Sequence, residues 1–530
     1  MSPGLVPMQE SRANGNQDAL HIPSDLVIEI ITHLPVQDAL ATRAVCRAWR
    51  RAIDDYLASN CDLHVVRQPG IRAWPGPLSV EESATAMVAC LQSYVDAWKT
   101  VDVAPPCAAG DCAVAIADVA RALAYLPRLE HLDLSKCGAL TDSVLEAMTW
   151  DAGGLPALRG LRLIGTRDLT DAVLPSIVAA APNLQELALG GAGARFSIDA
   201  VAETLEVLPA LTSLELLDLP WPAKSSHESP WLESGARLMR AVCRLRNLRS
   251  LSLSGILIDR RLWDSADVAS LTQLESLSLT SCVIMCGKLA QLAGVPTLRA
   301  LTIAGPRSIE WEPGAPSFLD ALAMLAPTLR VLHLVGLYVP LWSAGGGAGA
   351  LGSITGLTSL TLRSCSLRGD AVVEATARMS SLESLDLSSC KDVHHTTLLA
   401  GLPRGLKRLR LAGCLWCDNN FAMLLRGAKQ KFEVLDLTAT PLTATGIQLL
   451  APMAALEGGT LVCLVLPSTS FAEAQWGGIA GLFPRLPVLT GRWATAEPLG
   501  GWTEPPPPEY GDWLPRAGLW ISRRHKASGA

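Results

Sequence analysis

Charged side chains are scarce in this 530-residue chain: Asp, Glu, Lys and Arg together make up 18% of it, against roughly 25% in an average globular domain. Hydrophobic residues make up 49%, which predicts a long buried core under a modest polar surface. The formal net charge of -6 argues against a general nucleic-acid binder, which would carry a basic face. No apolar run approaches the roughly 20 residues that a membrane-spanning helix requires, so we expect no contact with a membrane.

Several kinds of chemistry are missing as well. The sequence contains neither a phosphate-cradling glycine loop nor a nucleophile elbow. Cys414 and Cys417 form a lone C-x-x-C pair, with no second pair at zinc spacing. We therefore expect no catalytic residue, no metal site and no cofactor. Residues 1–18 are polar and lack the apolar stretch of a signal peptide, so we expect a protein that is not secreted.

The phrase L-x-x-L-x-L, by contrast, occurs thirteen times between Leu129 and Leu466. Within L-x-L the leucines point to one face of a short strand and the residue between them to the other. One unit cannot bury its leucines alone, so the units must stack into a curved solenoid with a shared core. The opening residues are Leu129, Leu158, Leu184, Leu211, Leu248, Leu274, Leu298, Leu329, Leu357, Leu382, Leu406, Phe432 and Leu461.

Ten of the twelve steps between openings are 24 to 29 residues long, the period of leucine-rich repeats. The run Cys137-Gly-Ala-Leu140-Thr141-Asp142 resembles the cysteine-containing subtype of these repeats. That resemblance implies an α/β solenoid with parallel strands inside the curve and helices outside, and with Thr141 or Asp142 as a helix N-cap. Because buried free cysteine behaves as a small hydrophobe, we expect a reducing compartment, the cytoplasm or the nucleus. The cysteines at this position are Cys137, Cys282, Cys365, Cys390 and Cys414.

Two repeats are stretched, one by a segment that begins at Pro220 and one by the glycine-rich run from Gly345 to Gly349. We expect both segments to be loops that leave the solenoid. Val101 and Val103 stand at the repeat spacing without leucine and predict a degenerate first repeat. The predicted organisation is a disordered N-terminus (1–19), a helical motif (20–60), a connecting segment with the degenerate capping repeat (61–125), a solenoid of about 13 repeats (126–495) and a Pro-rich, basic, flexible tail (496–530).

The helical motif predicts three short helices. Pro23 and Ser24 are typical of a helix start, and Pro35 ends this first helix. Helices this short bury little apolar surface, so we expect a partner or the adjoining solenoid to cover what remains. The apolar stripes of the first and third helices are Ile22, Leu26, Ile30 and Leu34, and Val45, Trp49 and Ile53.

The same segment resembles the F-box, whose pattern is roughly LP-x-[DE]-[LIV]-x-x-x-I-[LF]-x-x-L followed by V-C-[RK]-x-W. The chain departs from it only conservatively, with Ile22 for the usual leucine. In that family the F-box docks on a Skp-type adaptor, which is bound in turn to a cullin carrying a RING subunit. The alternative is a helical cap for the solenoid. The resemblance implies that the adaptor-binding residues are Ile22, Pro23, Leu26, Ile30, Leu34, Val45 and Trp49.

An F-box followed by cysteine-containing leucine-rich repeats resembles one class of ubiquitin-ligase substrate receptors. The resemblance implies a non-enzymatic substrate-recognition subunit of a Skp–cullin–F-box (SCF) ligase, which holds a protein substrate for ubiquitination and proteasomal degradation. The implied partners are the adaptor, the cullin–RING ligase and one or more protein substrates, with no nucleic acid. The alternative is a leucine-rich repeat scaffold or interaction protein, for example at the cytoskeleton, with no ligase role.

The concave face is expected to bind the substrate. In three consecutive repeats, the residues that flank the second and third leucines are all small. Short side chains with hydroxyls let another backbone approach closely and form hydrogen bonds; the alternative is that small residues are merely tolerated on an exposed strand. The nine residues are Ser250, Ser252, Ser254, Ser276, Ser278, Thr280, Ala300, Thr302 and Ala304, of which we expect Ser250, Ser252, Ser276, Ser278 and Thr302 to contact substrate.

Farther along the chain this face becomes charged. Asp386, Arg410 and Asp436 are expected to share a column on adjacent strands, where alternating charges would form a cross-strand ladder. Arg363 and Arg408 have no acidic residue in their own columns on the neighbouring strands. We therefore expect Arg363, Arg408 and Arg410 to bind a carboxylate or a phosphate group of the substrate.

Overall fold

The fold is taken from a computed structural model of the chain. The predicted F-box segment and all seven residues expected to bind the adaptor lie outside the residues that this structure describes. The described residues are 61–66, 100–103, 128–137, 140–150, 155–220, 230–255, 267–310, 314–337, 347–366, 369–391, 393, 398–399, 401–427, 430–454, 463–466, 488–490 and 518–523.

Strands and helices alternate along most of the described chain. The strands are β1 (Cys61–Val66), β2 (Thr100–Val103), β3 (His131–Asp133), β4 (Gly160–Ile164), β5 (Glu186–Gly190), β6 (Ser213–Leu217), β7 (Ser250–Ser254), β8 (Ser276–Thr280), β9 (Val283–Met285), β10 (Ala300–Ala304), β11 (Ser308–Glu310), β12 (Val331–Val335), β13 (Ser359–Arg363), β14 (Ser384–Asp386), β15 (Arg408–Arg410), β16 (Val434–Asp436), β17 (Cys463–Leu466), β18 (Val488–Thr490) and β19 (Gly518–Arg523). The α-helices are α1 (Asp142–Trp150), α2 (Leu174–Ala180), α3 (Ile198–Glu206), α4 (Pro230–Arg244), α5 (Cys286–Gln291), α6 (Phe318–Ala323), α7 (Gly347–Gly352), α8 (Gly369–Ala377), α9 (Asn419–Arg426) and α10 (Ala444–Leu450).

Seventeen of the described strands form one sheet. From β1 to β8, and on through β10 and β12 to β18, each strand pairs with the next in parallel. Each of the thirteen L-x-x-L-x-L phrases contributes one of these strands, which confirms the predicted solenoid of leucine-rich repeats. β2 pairs with β3 so that Val101 lies opposite Leu132, the register expected of a degenerate first repeat.

The first edge of this sheet is covered from the far end of the chain. β19 runs antiparallel to β1, with Cys61 opposite Arg523 and Val66 opposite Gly518. The sequence predicted a flexible tail over residues 496–530, whereas six of these residues form a regular strand. The added strand pairs with backbone groups that an edge strand would otherwise expose.

The core lies between the sheet and the helices. In β7 the side chains of Leu251 and Leu253 are 3% and 1% exposed, while the serines beside them are half-buried. The same alternation recurs in β6, β8, β10, β12 and β13. Burying one leucine contributes about 1.5–3 kcal/mol relative to leaving it exposed, so the repeated pair accounts for much of the driving force for stacking.

Every described strand-to-helix turn of the thirteen repeats bends at one position, seven residues after the opening leucine or phenylalanine. The backbone there has a positive φ, from 41° to 95°, in the twelve repeats whose turn is described. This left-handed conformation favours glycine because a Cβ is crowded there. Nevertheless, six of the twelve positions hold a residue other than glycine. The twelve turn residues are Lys136, Gly165, Gly191, Asp218, Gly255, Ser281, Gly305, Gly336, Ser364, Ser389, Gly413 and Ala439.

The residue after this turn links neighbouring repeats. The Cys390 thiol donates a hydrogen bond to the carbonyl oxygen of Leu362 in the preceding repeat, with the two atoms 2.8 Å apart. Cys282, Cys365 and Cys414 make the corresponding bonds at 3.2–3.4 Å. Eight cysteines in the described repeats, those with a described side chain, are buried and free. The cysteine position of the repeat is therefore an interior hydrogen-bonding position between units.

On the helical side, one sequence expectation needs correction and another is narrowed. α1 begins at Asp142, which leaves Thr141 at the N-cap position, and the Asp142 carboxylate instead accepts hydrogen bonds from the backbone N–H (2.8 Å) and hydroxyl (2.6 Å) of Thr170 in the next repeat. The glycine-rich insertion was expected to be a loop, and from Gly347 onward this is wrong, because α7 starts there. Leu351 on α7 is fully buried, and a Cβ at Gly352 would lie 3.3 Å from the Cα of Ala375, so close packing stabilises a helix that glycine disfavours.

Candidate binding site on the open face of the sheet

The side chains that alternate with the core leucines form a second surface, on the side of the sheet away from the helices. We call this surface, from β3 to β16, the open face. Because the strands pair in register, its residues form columns that cross the sheet from one repeat to the next. Which residue types share a column therefore decides what the face can bind.

The nine small residues meet on β7, β8 and β10, in the middle of the open face. Ser250, Ser276 and Ala300 form one column, Ser252, Ser278 and Thr302 the second, and Ser254, Thr280 and Ala304 the third. All nine residues alternate with buried leucines or isoleucine along their strands, and all nine are half-buried. The expectation that these residues lie side by side is confirmed, and we call this area the floor.

The hydroxyls of the floor make no hydrogen bond within the described residues. None of the seven serine and threonine hydroxyls on these three strands hydrogen-bonds another residue in the part of the chain that the structure describes. Threonines just before the strands behave differently: the Thr297 hydroxyl donates to the carbonyl oxygen of Leu274 at 2.8 Å, and the Thr212 hydroxyl donates to the carbonyl oxygen of Gln185 at 3.2 Å. The floor hydroxyls thus remain available to an incoming group, whereas those at the rim are used to join repeats.

Beyond the floor lies a group of charged residues that we call the basic cluster: His333, Arg363, Asp386, Arg408 and Arg410. Asp386, Arg410 and Asp436 lie opposite one another on β14, β15 and β16, which confirms the expected column. Both aspartates are buried, at 5% and 2% exposure, and each turns one carboxylate oxygen toward the backbone N–H two residues later, at 2.8 and 3.0 Å. The carboxylates therefore brace the turn after each strand as well as balancing charge.

Arg363 has an acidic neighbour outside its own column. Its Nη2 atom lies 3.1 Å from Oδ2 of Asp386, one strand and one column away. The sequence argument compared residues within one column, but an arginine side chain is long enough to cross diagonally. Arg363 is still 40% exposed, and its Nε atom is buried without a hydrogen-bond partner among the described residues. The hydroxyl oxygen of Ser388, at the equivalent position of the next repeat, is also buried without a hydrogen-bond partner among the described residues.

His333 belongs to this cluster and escaped the sequence reasoning. Burial lowers the pKa of its imidazole, Asp386 raises it, and the positive charges of Arg363 and Arg410 lower it further. The ring is therefore mainly neutral near pH 7. Its position between Leu332 and Leu334 is the signal that was available, because the middle residue of L-x-L always lies on the open face.

A second charged group, which we call the acidic cluster, lies on the other side of the floor: His131, Asp133, Arg162, Glu186 and Glu215. Arg162 on β4 serves two carboxylates, with Nε 3.3 Å from Asp133 and Nη2 2.8 Å from Glu215. It reaches Glu215 across β5, where the intervening residue is only Ala188. The sequence reasoning missed this cluster because it compared only the central and C-terminal repeats.

Glu186 completes the acidic cluster. Its Oε2 atom lies 3.6 Å from Nδ1 of His131, and Gly160 separates the two residues on the intervening strand. A side chain at Gly160 would overlap the His131 ring, so the missing Cβ permits this approach. The contact with His131 lowers the pKa of Glu186, burial raises it, and Arg162 lowers it further. Glu186 therefore stays ionised well below neutral pH.

The described chain shows little that could support other chemistry. Cys414 and Cys417 are both buried; burial raises the pKa of Cys417, and a hydrogen bond from its neighbour lowers that of Cys414. No group of three or more potential metal-ligating side chains occurs among the described residues. Nor does any helix in the described ranges have the length and apolar character needed to cross a membrane.

Comparison with known proteins provides information on the N-terminal region, which lies outside the described residues. The family model described as F-box domain matches residues 19–57. An internalin (inlF) from Listeria monocytogenes is 17% identical, with 66% of this chain and 88% of that one covered at a TM-score of 0.37. The structure of the Rad7 and Elc1 complex in yeast matches at 16% identity, with 72% and 92% covered at a TM-score of 0.39. Neither likeness bears on function, and no curated protein sequence matched the chain.

The class of protein follows from the family match and the fold together. An F-box domain precedes a solenoid of leucine-rich repeats in this chain.

Proposed function

We propose that this chain is the substrate-recognition subunit of an SCF-type ubiquitin ligase. The observation that carries the proposal is the F-box match at residues 19–57, followed in the same chain by the array of leucine-rich repeats. The F-box binds a Skp-type adaptor and through it a cullin–RING ligase, in the cytoplasm or the nucleus. The chain forms no covalent bond itself. It raises the effective concentration of a target lysine near the charged conjugating enzyme.

Adaptor binding is assigned to the apolar face of the F-box, formed by Ile22, Pro23, Leu26, Ile30, Leu34, Val45 and Trp49. Pro23→Ala combined with Leu26→Ala removes two neighbouring contacts at its start. We expect this variant to lose binding to a purified Skp-type adaptor, measured by calorimetry, while its thermal unfolding stays unchanged. Ser252→Ala on the floor is the matched control, and it should bind the adaptor as the original chain does. Loss of repeat folding in the Pro23/Leu26 variant would instead support the helical-cap alternative.

Target binding is assigned to the open face. The floor supplies Ser250, Ser252, Ser276, Ser278 and Thr302, and the basic cluster supplies Arg363, Arg408 and Arg410. Support comes from the floor hydroxyls, which make no hydrogen bond to another described residue, and from the arginines, which are half-buried where Asp386 and Asp436 are buried. Such residues suit a target with a carboxylate or phosphate group.

Arg408 and Arg410 are the better residues for testing target binding, because Arg363 also holds Asp386. Arg408→Glu with Arg410→Glu should reduce recovery of ubiquitinated targets from cells while leaving adaptor recovery unchanged. Arg237→Glu on α4, where the arginine pairs with Glu203, is a control outside the open face. Unchanged target recovery in the double variant would refute the role of these arginines. A folded chain that binds no adaptor would refute the ligase role and favour a repeat scaffold.

A further inference from the structure

Two polar atoms, one in the basic cluster and one next to it, have no hydrogen-bond partner among the described residues. The Nε atom of Arg363 and the hydroxyl oxygen of Ser388 are both buried without a hydrogen bond, and Ser388 as a whole is only 3% exposed. They lie on adjacent repeats at the same position after the opening leucine. Buried polar groups are almost always hydrogen-bonded. A bound molecule that displaces the side chains covering these atoms can supply the missing oxygen acceptor.

The charge around these atoms indicates what kind of molecule. Arg363, Arg408 and Arg410 carry three positive charges, and the two carboxylates in this part of the face, Asp386 and Asp436, are buried. A group that approaches from solvent therefore meets arginine first. An acidic side chain fits this end, because it supplies both the missing acceptor and the opposite charge.

The acidic cluster, on the far side of the floor, has the opposite character. Asp133, Glu186 and Glu215 face a single arginine, Arg162, which Asp133 and Glu215 already share. Glu186 contacts only His131 among the charged groups within ion-pair distance, and its carboxylate is 52% exposed. A lysine or arginine side chain fits this end.

The floor between the clusters indicates the backbone conformation of the bound molecule. The floor has no charged side chain on β7, β8 or β10, and its hydroxyls make no hydrogen bond to another described residue. Helical backbone satisfies its own hydrogen bonds, whereas an extended chain has N–H and C=O groups to share with such hydroxyls. Six strand spacings separate Glu186 on β5 from Arg363 on β13, which is about 29 Å, or about nine extended residues.

We infer that the open face binds an extended segment of a target protein that carries an acidic residue at one end and a basic residue about nine positions away. The acidic residue occupies the basic cluster and bonds Arg363 and Ser388, and the basic residue occupies the acidic cluster. The inference rests on the proposed function for the identity of the bound protein as a target. It adds the charge order and spacing that distinguish a target from other proteins.

The test uses fluorescently labelled synthetic peptides and the full chain, with binding read as anisotropy at low salt. One peptide joins a glutamate block to a lysine block through a Gly-Ser spacer of about eight residues; the second replaces the lysines with glutamates. The original chain should bind the mixed peptide about tenfold more tightly, since two or three exposed ion pairs change sign. Equal affinity for the two peptides would overturn the inference.

Reversing the charge of the acidic cluster should reverse the preference for the mixed peptide over the all-glutamate peptide. Glu186→Lys with Glu215→Lys should make the all-glutamate peptide the tighter ligand. The matched control is Glu203→Lys with Glu206→Lys on α3, which makes the same change of charge away from the open face; it should keep the original preference. The same reversal in the control would show that net charge alone is responsible and would overturn the inference. If Glu215→Lys prevents folding, Glu186→Lys alone should reduce the preference by about threefold.

Ser388→Ala separates ligand binding from structure. If the hydroxyl bonds the ligand, the variant should bind the mixed peptide several-fold more weakly without loss of thermal stability. Unchanged affinity would overturn the role of Ser388. Peptide binding that appears only after residues 491–530 are removed would assign the face to the chain's own C-terminal segment instead of a target. Adaptor binding is measured on the same samples. A chain that binds the adaptor but shows no preference between the peptides refutes only this inference. A chain that prefers the mixed peptide but does not bind the adaptor refutes only the ligase role.

Discussion

The turn after each repeat strand offers a quantitative test of the fold. Gly305 adopts φ +48°, and a Cβ placed there would meet no atom within 4 Å. Gly305→Ala therefore costs only the strain of a left-handed conformation, about 1–2 kcal/mol. Gly190 has φ +103°, and a Cβ there would overlap the backbone carbonyl of Leu217. Gly190→Ala must displace β6 as well, and we expect it to cost about 3 kcal/mol or more.

The converse substitution should stabilise the chain. Ala439 occupies the same turn position with φ +54°. Ala439→Gly removes about 1–2 kcal/mol of strain, and the greater freedom of glycine in the unfolded chain offsets about 0.5–1 kcal/mol of that gain. A net stabilisation of about 0.5–1 kcal/mol remains.

Urea unfolding, followed by far-UV circular dichroism, would rank the three variants. Because stacked repeats unfold as coupled neighbours, the midpoints of unfolding are compared between variants. The expected order of stability is Ala439→Gly, original chain, Gly305→Ala and Gly190→Ala. Equal losses for Gly190→Ala and Gly305→Ala would refute the close contact between β5 and β6. A loss of stability in Ala439→Gly would refute the left-handed turn at that repeat.

Two further predictions concern titratable groups. Burial raises the pKa of Cys365 to about 11 and that of Cys390 to about 12. Iodoacetamide at neutral pH should therefore leave both thiols unlabelled in the folded chain and label them in urea, as measured by peptide mass spectrometry. Labelling of the folded chain would contradict the burial of these thiols. His333 has a pKa below its ordinary 6.5, so the unfolded chain binds a proton more readily and His333 opposes folding as pH falls below 6.5. Replacing it with Gln should flatten the decline of the melting temperature between about pH 7 and pH 5, and an unchanged decline would contradict the burial of the ring.

Much of the architecture could be predicted because the repeat is written in the sequence. The alternation in Leu248–Leu253 specifies which residues face the core, and stacking then places Ser278 between Ser252 and Thr302. Register is a local property that repeats, so columns across the sheet follow from counting residues.

What escaped prediction depends on the reach and packing of single side chains. The left-handed turn was hidden because residues other than glycine, such as Lys136 and Ala439, occupy half of its described positions. The pair between Arg363 and Asp386 crosses columns, which counting along a column does not detect. Helix α7 forms in a glycine-rich stretch because Leu351 is buried against the core, a tertiary effect that outweighs local propensity.

The most direct measurement of the proposed role is affinity purification of the tagged chain from its own cells, with quantitative mass spectrometry of the recovered proteins. The account predicts a Skp-type adaptor and a cullin at near-equal abundance with the chain, and their loss when Pro23 and Leu26 are both replaced by alanine. Recovery of a folded chain with neither adaptor nor cullin would contradict the account.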